Sequence, residues 1–521
     1  MMRSTLLFLV FVVLLLTVNC NEKVGESAFA KAGISLSFLK ENTINTQFLG
    51  HGVQWSAYPH ADSEDAEWGF LMTDEKWEEL YRRLDFVNPH VIRVMDGAGW
   101  RYYQGNDKDG NPIVDYNTQE VKSLYKLLDY CQKNDIKVMF GEWGAPQSGS
   151  KVKNPIDRAD DDRWIEMITG YLNHLVIEKG YTCITYYNLV NEPNGYWAST
   201  DGDWDQWSAG YTKMAKALAN SPLSKYVGMV GPDATVQWNH PTHPKPSADW
   251  MYSTIEEHNE ITKAYEVHIY ANQDEIRSGN LIKFLQPFAD SLKNIDKPFL
   301  LGEIGMKYNG ELGEENKKRA AADPYASTED SEMFVYDHFY GVDMADAAAQ
   351  SMLVGMGSAI AWNVDDAMHT KGDAGEKSKL KKWGMWNILG EHFNGPDELT
   401  PRPWSYPWTV LCNIFPPGSK VMKPIINVKN DSIRAVGAYK NDMFSMMLVN
   451  QSKTGQTYNV ATDTYTNGVP LYLYNYVDGE NIKNSSGFPV PAREVTYKKD
   501  LGVQVELPAN SVVFISTIKL K

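Results

Sequence analysis

The stretches Tyr187-Asn188-Leu189-Val190-Asn191-Glu192-Pro193-Asn194 and Pro298-Phe299-Leu300-Leu301-Gly302-Glu303-Ile304-Gly305 decide the fold. Each is an apolar run that ends on a glutamate, the pattern of a strand buried on both faces. The two glutamates are 111 residues apart, which leaves room for further strand–helix units between them. Working outward, short apolar runs alternate with amphipathic stretches from about residue 46 to 415. The expected strands are 48–55, 91–95, 137–141, 182–190, 226–230, 265–269, 298–302 and 358–362. Helical periodicity lies between them: Trp77, Leu80, Tyr81 and Leu84 in one segment, Val121, Leu124, Leu127, Leu128 and Cys131 in the next. Segments 163–177 and 204–219 behave likewise. Eight such units predict an α/β fold, a (β/α)8 TIM barrel over residues 46–418.

The pattern changes after Phe415-Pro416-Pro417-Gly418. Short alternating runs separated by Asn, Asp, Gly and Lys clusters predict an all-β sandwich over 419–521. Residues 27–39 alternate as well. They are expected to add an N-terminal strand to that sandwich, within a tether-and-strand segment at 21–45.

Residues 1–20 read as a signal peptide: Arg3 precedes a continuous apolar run, 6–16. Its end, Leu16-Thr17-Val18-Asn19-Cys20, resembles a bacterial lipoprotein signal. Two locations follow, simple secretion or membrane attachment at the cell surface through a lipidated Cys20. Cys131, Cys183 and Cys412 are too few and too odd in number for a disulfide framework, so buried thiols are expected. The formal net charge of −16 argues against nucleic acid or an anionic membrane surface as a partner. Aromatic residues make up 12 % of the chain, with 16 Trp and 29 Tyr. That enrichment suits a carbohydrate partner, whose C–H faces pack on aromatic planes, and equally an aromatic-rich core.

Two carboxylates delivered from the C-terminal ends of two barrel strands are what glycoside hydrolysis needs. One must be protonated and the other ionised, so their surroundings must differ. Glu192 has no cation beside it in sequence, whereas Arg93 on the second strand can reach Glu303 across the barrel mouth and hold it ionised. Asn191-Glu192-Pro193 after the fourth strand and Gly302-Glu303 after the seventh resemble the signature of clan A glycoside hydrolases, families 5 and 39 in particular. The resemblance implies Glu192 as acid/base and Glu303 as nucleophile. It implies that Arg93 contacts the nucleophile and that Asn191 binds the sugar 2-hydroxyl. His268 and Tyr270 are similar to the clan's His-x-Tyr pair, and Trp362 to its aromatic floor. It further implies retaining cleavage of a β-linked, neutral poly- or oligosaccharide with no cofactor or metal.

The first strand ends Gly50-His51-Gly52-Val53-Gln54-Trp55 and the third Gly141-Glu142-Trp143-Gly144, matching neither family, which leaves the sugar open. His51, Gln54 and Trp55 are read as sugar contacts, and Glu142 as a substrate-site carboxylate or a support behind one. Asp365, Asp366 and His369 are read as lining a subsite or binding an ion. Trp383 and Trp386 form either an exposed platform or a local cluster. Two competing functions remain: a non-catalytic carbohydrate-binding protein on a retired barrel, and a transglycosylase.

Overall fold

The computed structural model describes residues 34–64, 66–368, 379–393, 395–465 and 467–520. Eight parallel strands close a barrel. In chain order they are β1 (Gly52–Gln54), β2 (Val91–Asp96), β3 (Lys137–Glu142), β4 (Ile184–Asn188), β5 (Gly228–Thr235), β6 (Thr262–Ala271), β7 (Phe299–Met306) and β8 (Ser358–Ala361). β8 closes the barrel by pairing with β1, Ile360 opposite Gly52.

The period of two along each strand sorts the barrel interior into layers. Val91, Met139, Tyr186, Val230, Ala264, Leu300 and Ile360, one from each of β2 to β8, form a buried apolar layer. Two residues further along, the same strand faces carry Arg93, Gly141, Asn188, Glu266, Gly302 and Trp362. The apolar layer therefore floors the barrel, and polar groups gather at the C-terminal mouth, where barrel enzymes work. Gly302 is required by this arrangement: a Cβ there would lie 1.6 Å from Glu266 Oε1. The covering helices bury one stripe each, as with Trp77, Leu80, Leu84 and Val87 on Asp74–Val87. Thr118 caps Gln119–Lys133 by accepting from the Val121 amide.

Beyond the barrel, two sheets enclose a shared core that includes Leu36, Phe38, Met446, Leu448, Val460 and Val505. In the four-stranded sheet, Ile34–Phe38 pairs in parallel with Gln456–Thr462. The other sheet has seven strands, with Met443–Asn450 between Ser511–Ser516 and Ile433–Lys440. Alternate residues of this sheet, Met447, Val449 and Phe514 among them, face the opposite way and join the large core of the barrel layer. The contact is pinned by Arg434, whose Nε donates to Asp346 Oδ1 (2.7 Å) on helix His338–Leu353.

Cys131, Cys183 and Cys412 are buried free thiols. Among the described residues no helix is long and apolar enough to cross a membrane. The signal segment, Cys20 and His369 lie outside the described residues.

Candidate active site

Arg93 organises the barrel mouth. Fully buried on β2, it donates through Nη1 to Gln54 Oε1 (2.6 Å) and to Glu303 Oε1. Its Nη2 donates to Asn191 Oδ1 (2.8 Å) and to both oxygens of Asp233 (2.9 and 3.0 Å). Asp233 is one of the groups that sequence reasoning missed, with Glu266 and Trp197. It accepts a further hydrogen bond from Asn188 Nδ2 (2.5 Å) and lies 3.2 Å from His268 Nε2. Burial alone would push its carboxyl up, but the Arg93 guanidinium and then His268 hold it well below the usual carboxylate range.

His268 is the second cation. Its Nδ1 lies 3.0 Å from Glu192 Oε1 and 3.5 Å from Glu303 Oε2, and its Nε2 lies 3.0 Å from Glu266 Oε1. The carboxyl groups around both ring nitrogens, Asp233 and Glu303 among them, favour the charged ring. Burial disfavours that charge, but Glu303, Glu266 and Asp233 outweigh it and raise the imidazole well above its ordinary value. Burial, with Asp233 beside it, pushes Glu266 up to about 8, so this carboxyl keeps its proton at neutral pH.

The two sequence-identified glutamates face each other beneath these groups. A carboxylate oxygen of Glu192 and one of Glu303 lie within 4.8 Å of one another. Glu303 accepts from Arg93 on one oxygen and from the Tyr270 hydroxyl (2.7 Å) on the other. Burial raises the Glu303 carboxyl above its ordinary value while His268 and Arg93 oppose that rise, and the donors on both oxygens favour the carboxylate. Burial also lifts the Tyr270 phenol well above its ordinary value, so it stays a donor. Glu192 is in different surroundings: its Oε2 accepts from the indole N–H of Trp197 (2.6 Å), a residue 46 % exposed. Glu192 and Asp233 both adopt positive φ, 46° and 60°. Neither is glycine, so each carries backbone strain of order 1 kcal/mol or more. The Glu192 amide, donating to the Asp233 carbonyl (3.0 Å), helps to hold that geometry.

Tyr270, Trp362 and Trp383 form one aromatic cluster, with Trp143 packed against it. The structure thus brings Glu192, Glu303, Arg93, Asn191, His268, Tyr270, Trp362 and Gln54 together. It does not bring His51, Trp55 or Glu142 to the mouth. Gln54 faces inward, so the alternation turns His51 and Trp55 outward. His51 is buried between Phe48 and Trp408, with its Nδ1 accepting from the Ala359 amide (3.3 Å). Trp55 packs on Tyr58, Trp77 and Tyr130 behind the barrel wall. Glu142, next to inward Gly141, also points outward and spends its oxygens on the Tyr102 hydroxyl (3.0 Å) and the Ala98 amide (3.1 Å). Asp365 and Asp366 are buried structural acceptors: Asp365 takes Tyr58 OH (2.8 Å) and Trp386 Nε1 (3.0 Å), and Asp366 takes Arg402. Trp383 and Trp386 are buried rather than exposed.

Among the described residues, three groups of side chains have the spacing of metal ligands. Two share His268, whose nitrogens are both occupied as donors, and their carboxylates are already matched by Arg93 and His268. The third is Asp201, His240 and His243. There His240 Nδ1 accepts from the amides of Thr242 (3.2 Å) and His243 (3.0 Å). Its Nε2 must therefore carry the proton donated to Asp201 (3.0 Å) and has no lone pair for an ion.

Comparison with known families gives a match over residues 50–338 to the model described as Cellulase (glycosyl hydrolase family 5). No curated protein sequence matches the chain. Among solved structures, a GH30 endoxylanase from Clostridium papyrosolvens C71 superposes with a TM-score of 0.56 at 13 % identity, covering 92 % of this chain and 99 % of that one. A conserved exported protein from Bacteroides fragilis gives a TM-score of 0.60 at 15 % identity, covering 92 % and 100 %. The GH39 enzyme from Xanthomonas axonopodis pv. citri gives 0.56 at 11 % identity, covering 95 % and 99 %. At these identities the structural likenesses establish the shared fold.

Proposed function

Because the chain belongs to glycosyl hydrolase family 5, and so to the clan A enzymes that act on glycosides, we propose that it cleaves β-glycosidic bonds with net retention. The observation that carries this reading is that His268 Nδ1 stands between the two carboxyl groups, 3.0 Å from Glu192 Oε1 and 3.5 Å from Glu303 Oε2, with one oxygen of each residue within 4.8 Å of the other. Retaining pairs stand about 5–5.5 Å apart, whereas inverting pairs leave about 6.5–9.5 Å for a water. In the first step a Glu303 oxygen bonds to the anomeric carbon while the glycosidic C–O bond breaks and the Glu192 proton passes to the leaving oxygen. In the second, Glu192 takes a proton from water, whose oxygen displaces Glu303 and releases the sugar.

The surroundings suit each role. Arg93 and His268 stand against Asp233 and Glu303, the arrangement an ionised nucleophile needs, and Glu192 lies at the edge of this network under the Trp197 indole. When Glu303 becomes an ester it loses its charge, and Asp233 keeps Arg93 paired through that change. Asn191 accepts from Arg93 through Oδ1, which turns its amide N–H groups towards a sugar hydroxyl. Gln54 is fixed in the same way, and its Nε2 has no partner among the described residues. Trp362 supplies the apolar surface for the ring of the cleaved sugar. The substrate is a neutral β-linked plant or microbial oligo- or polysaccharide. Export through the 1–20 segment, with an acyl anchor on Cys20, places the enzyme at the cell envelope. A Cys20→Ala variant that still partitions with membranes would remove the anchor from this picture.

The test is sugar release from a panel of β-linked polysaccharides and glycosides by wild type and by Glu303→Ala. Release by wild type and none by the variant supports the reading and names the sugar. Equal background from both proteins across the panel refutes it.

A further inference from the structure

The N-terminal end of the barrel lies opposite the catalytic mouth. A cavity of about 650 Å³ opens there where β7 and β8 begin, with Pro298, Phe299 and Gly357 in its wall. Leu353 and Lys423 line it and also line a second cavity of about 370 Å³, so the two form one groove. The groove runs to the strand Ile425–Ile426, the outer edge of the four-stranded sheet, where Ile426 pairs with Leu36. Five lysines line it, Lys283, Lys293, Lys297, Lys423 and Lys429, against three carboxylates, Asp290, Asp296 and Asp431. Arg434, also in the lining, is paired with Asp346. Lys429 lies 3.1 Å from Asp431, whereas Lys283 donates to Asn280 Oδ1 (2.9 Å) and Lys297 to Asn259 Oδ1 (3.2 Å), both neutral acceptors. At the same end of the barrel Lys263 donates to the carbonyls of Tyr226 (3.0 Å) and Thr185 (3.2 Å). In a chain of net charge −16 this groove is locally positive.

Large apolar side chains stand among the lysines. Ile425 is 51 % exposed and Val428 49 %, and Ile44 and Ile426 are exposed beside them. Lys423 and Lys429 bracket three of the four in the run Lys423-Pro424-Ile425-Ile426-Asn427-Val428-Lys429. We infer that this face rests on an anionic lipid surface, with lysines against the headgroups and the aliphatic side chains at the acyl boundary. The inference builds on the envelope location proposed above and adds how the enzyme sits there. Thirteen residues separate Cys20 from Ile34, so an acyl chain on Cys20 keeps Ile34 within about 50 Å of the bilayer. Ile34 opens the strand that pairs with Ile425–Ile426, and the Asn427 amide donates to the Ser35 carbonyl (3.3 Å). The tether therefore joins the fold beside the exposed isoleucines. The charge of the whole chain opposes such a surface, but at physiological salt the interaction reaches only about 8 Å, so the nearest residues decide its sign. Docking by this end also points the mouth, with Glu192 and Glu303, away from the bilayer and towards incoming polysaccharide.

Vesicle sedimentation tests this with the chain from residue 21 onward, made without an acyl group. The vesicles are phosphatidylcholine alone, or phosphatidylcholine with phosphatidylglycerol. Wild type should partition at least about tenfold more strongly onto the anionic vesicles, and about 0.5 M NaCl should release it. Lys293→Gln combined with Lys423→Gln removes two exposed lysines; at about fivefold each, partition should fall about tenfold or more. Ile425→Ser combined with Val428→Ser should lower it as well, and serves if the lysine variant does not fold. Turnover of a soluble aryl glycoside should be the same in all three proteins. Equal partition of wild type onto both kinds of vesicle, or wild-type partition by the folded variants, overturns the inference. Neither result touches the hydrolase reading, which sugar release decides. The anchor is separable too, because an acyl chain on Cys20 withstands the salt that releases a face held by charge.

Discussion

Replacing Arg93 with methionine tests the hub of the site. The change keeps the approximate length of the side chain and removes the cation. It leaves Asp233 and Glu303 buried with His268 as their remaining positive neighbour. Removing one partner of a buried ion pair costs about 3–5 kcal/mol. At about 2.1 cal/mol/K per residue, unfolding 521 residues carries an entropy of about 1.1 kcal/mol/K, so the expected drop in Tm at neutral pH is about 3–5 °C. The sign with pH follows from Asp233. Arg93 holds its folded pKa below the unfolded value, so the stabilisation is present above the ordinary carboxyl range and lost as pH falls. The Tm gap between wild type and Arg93→Met should therefore hold from pH 7.5 down to about pH 4 and narrow only below that, as Asp233 takes up its proton. Catalysis should fall further, because Glu303 loses the donor that orients it; losses of about 10²–10³ in kcat are typical for one such donor. Calorimetric melts across this pH range and steady-state kinetics measure both. A variant with wild-type kcat, or a Tm gap that does not depend on pH, would refute the charge network described here.

Three other outcomes are expected. Glu266→Gln should flatten the pH dependence of stability between about 4.5 and 8: the raised pKa of the native acid makes folding less favourable as pH climbs through that window, and the amide cannot ionise. Melts of the two proteins with the same slope over this range would count against it. Trp197→Phe removes the hydrogen bond to Glu192 and should cost about tenfold in kcat/KM on substrates with poor leaving groups, and less on activated aryl glycosides, which need little protonation. Equal losses on both would place the effect elsewhere. Gly302→Ala should yield little soluble protein, since its methyl group would overlap Glu266 in a buried layer; normal yield with an unshifted Tm would contradict the packing.

The barrel and the two glutamates are legible in the sequence because buried parallel strands are continuous apolar runs and each glutamate ends one. Arg93 is legible from its place on the second strand, and His268 and Tyr270 from their resemblance to the clan's His-x-Tyr pair at the end of the sixth. Asp233 is not, because the apolar run of β5 stops near Val230 and Pro232 argues against a central strand, whereas the structure carries β5 through to Thr235. The pairing His268–Thr235 and the ion pair with Arg93 are tertiary facts that no local pattern records. His51 and Trp55 show the reverse error. The cluster around the first strand looks uniformly polar and aromatic, but a single inward residue, Gln54, settles by alternation that its neighbours face the helices. Trp197 lies in a loop, where periodicity has nothing to say, and only its distance to Glu192 reveals it.

The most direct test of the central claim is the configuration of the sugar at the moment of release. Proton NMR of the anomeric region, taken within the first minutes of wild-type hydrolysis of a β-linked substrate, separates the two mechanisms. With Glu192 and Glu303 this close, the β-anomer should form first and mutarotate later. First appearance of the α-anomer would mean a single displacement by water and would contradict the account.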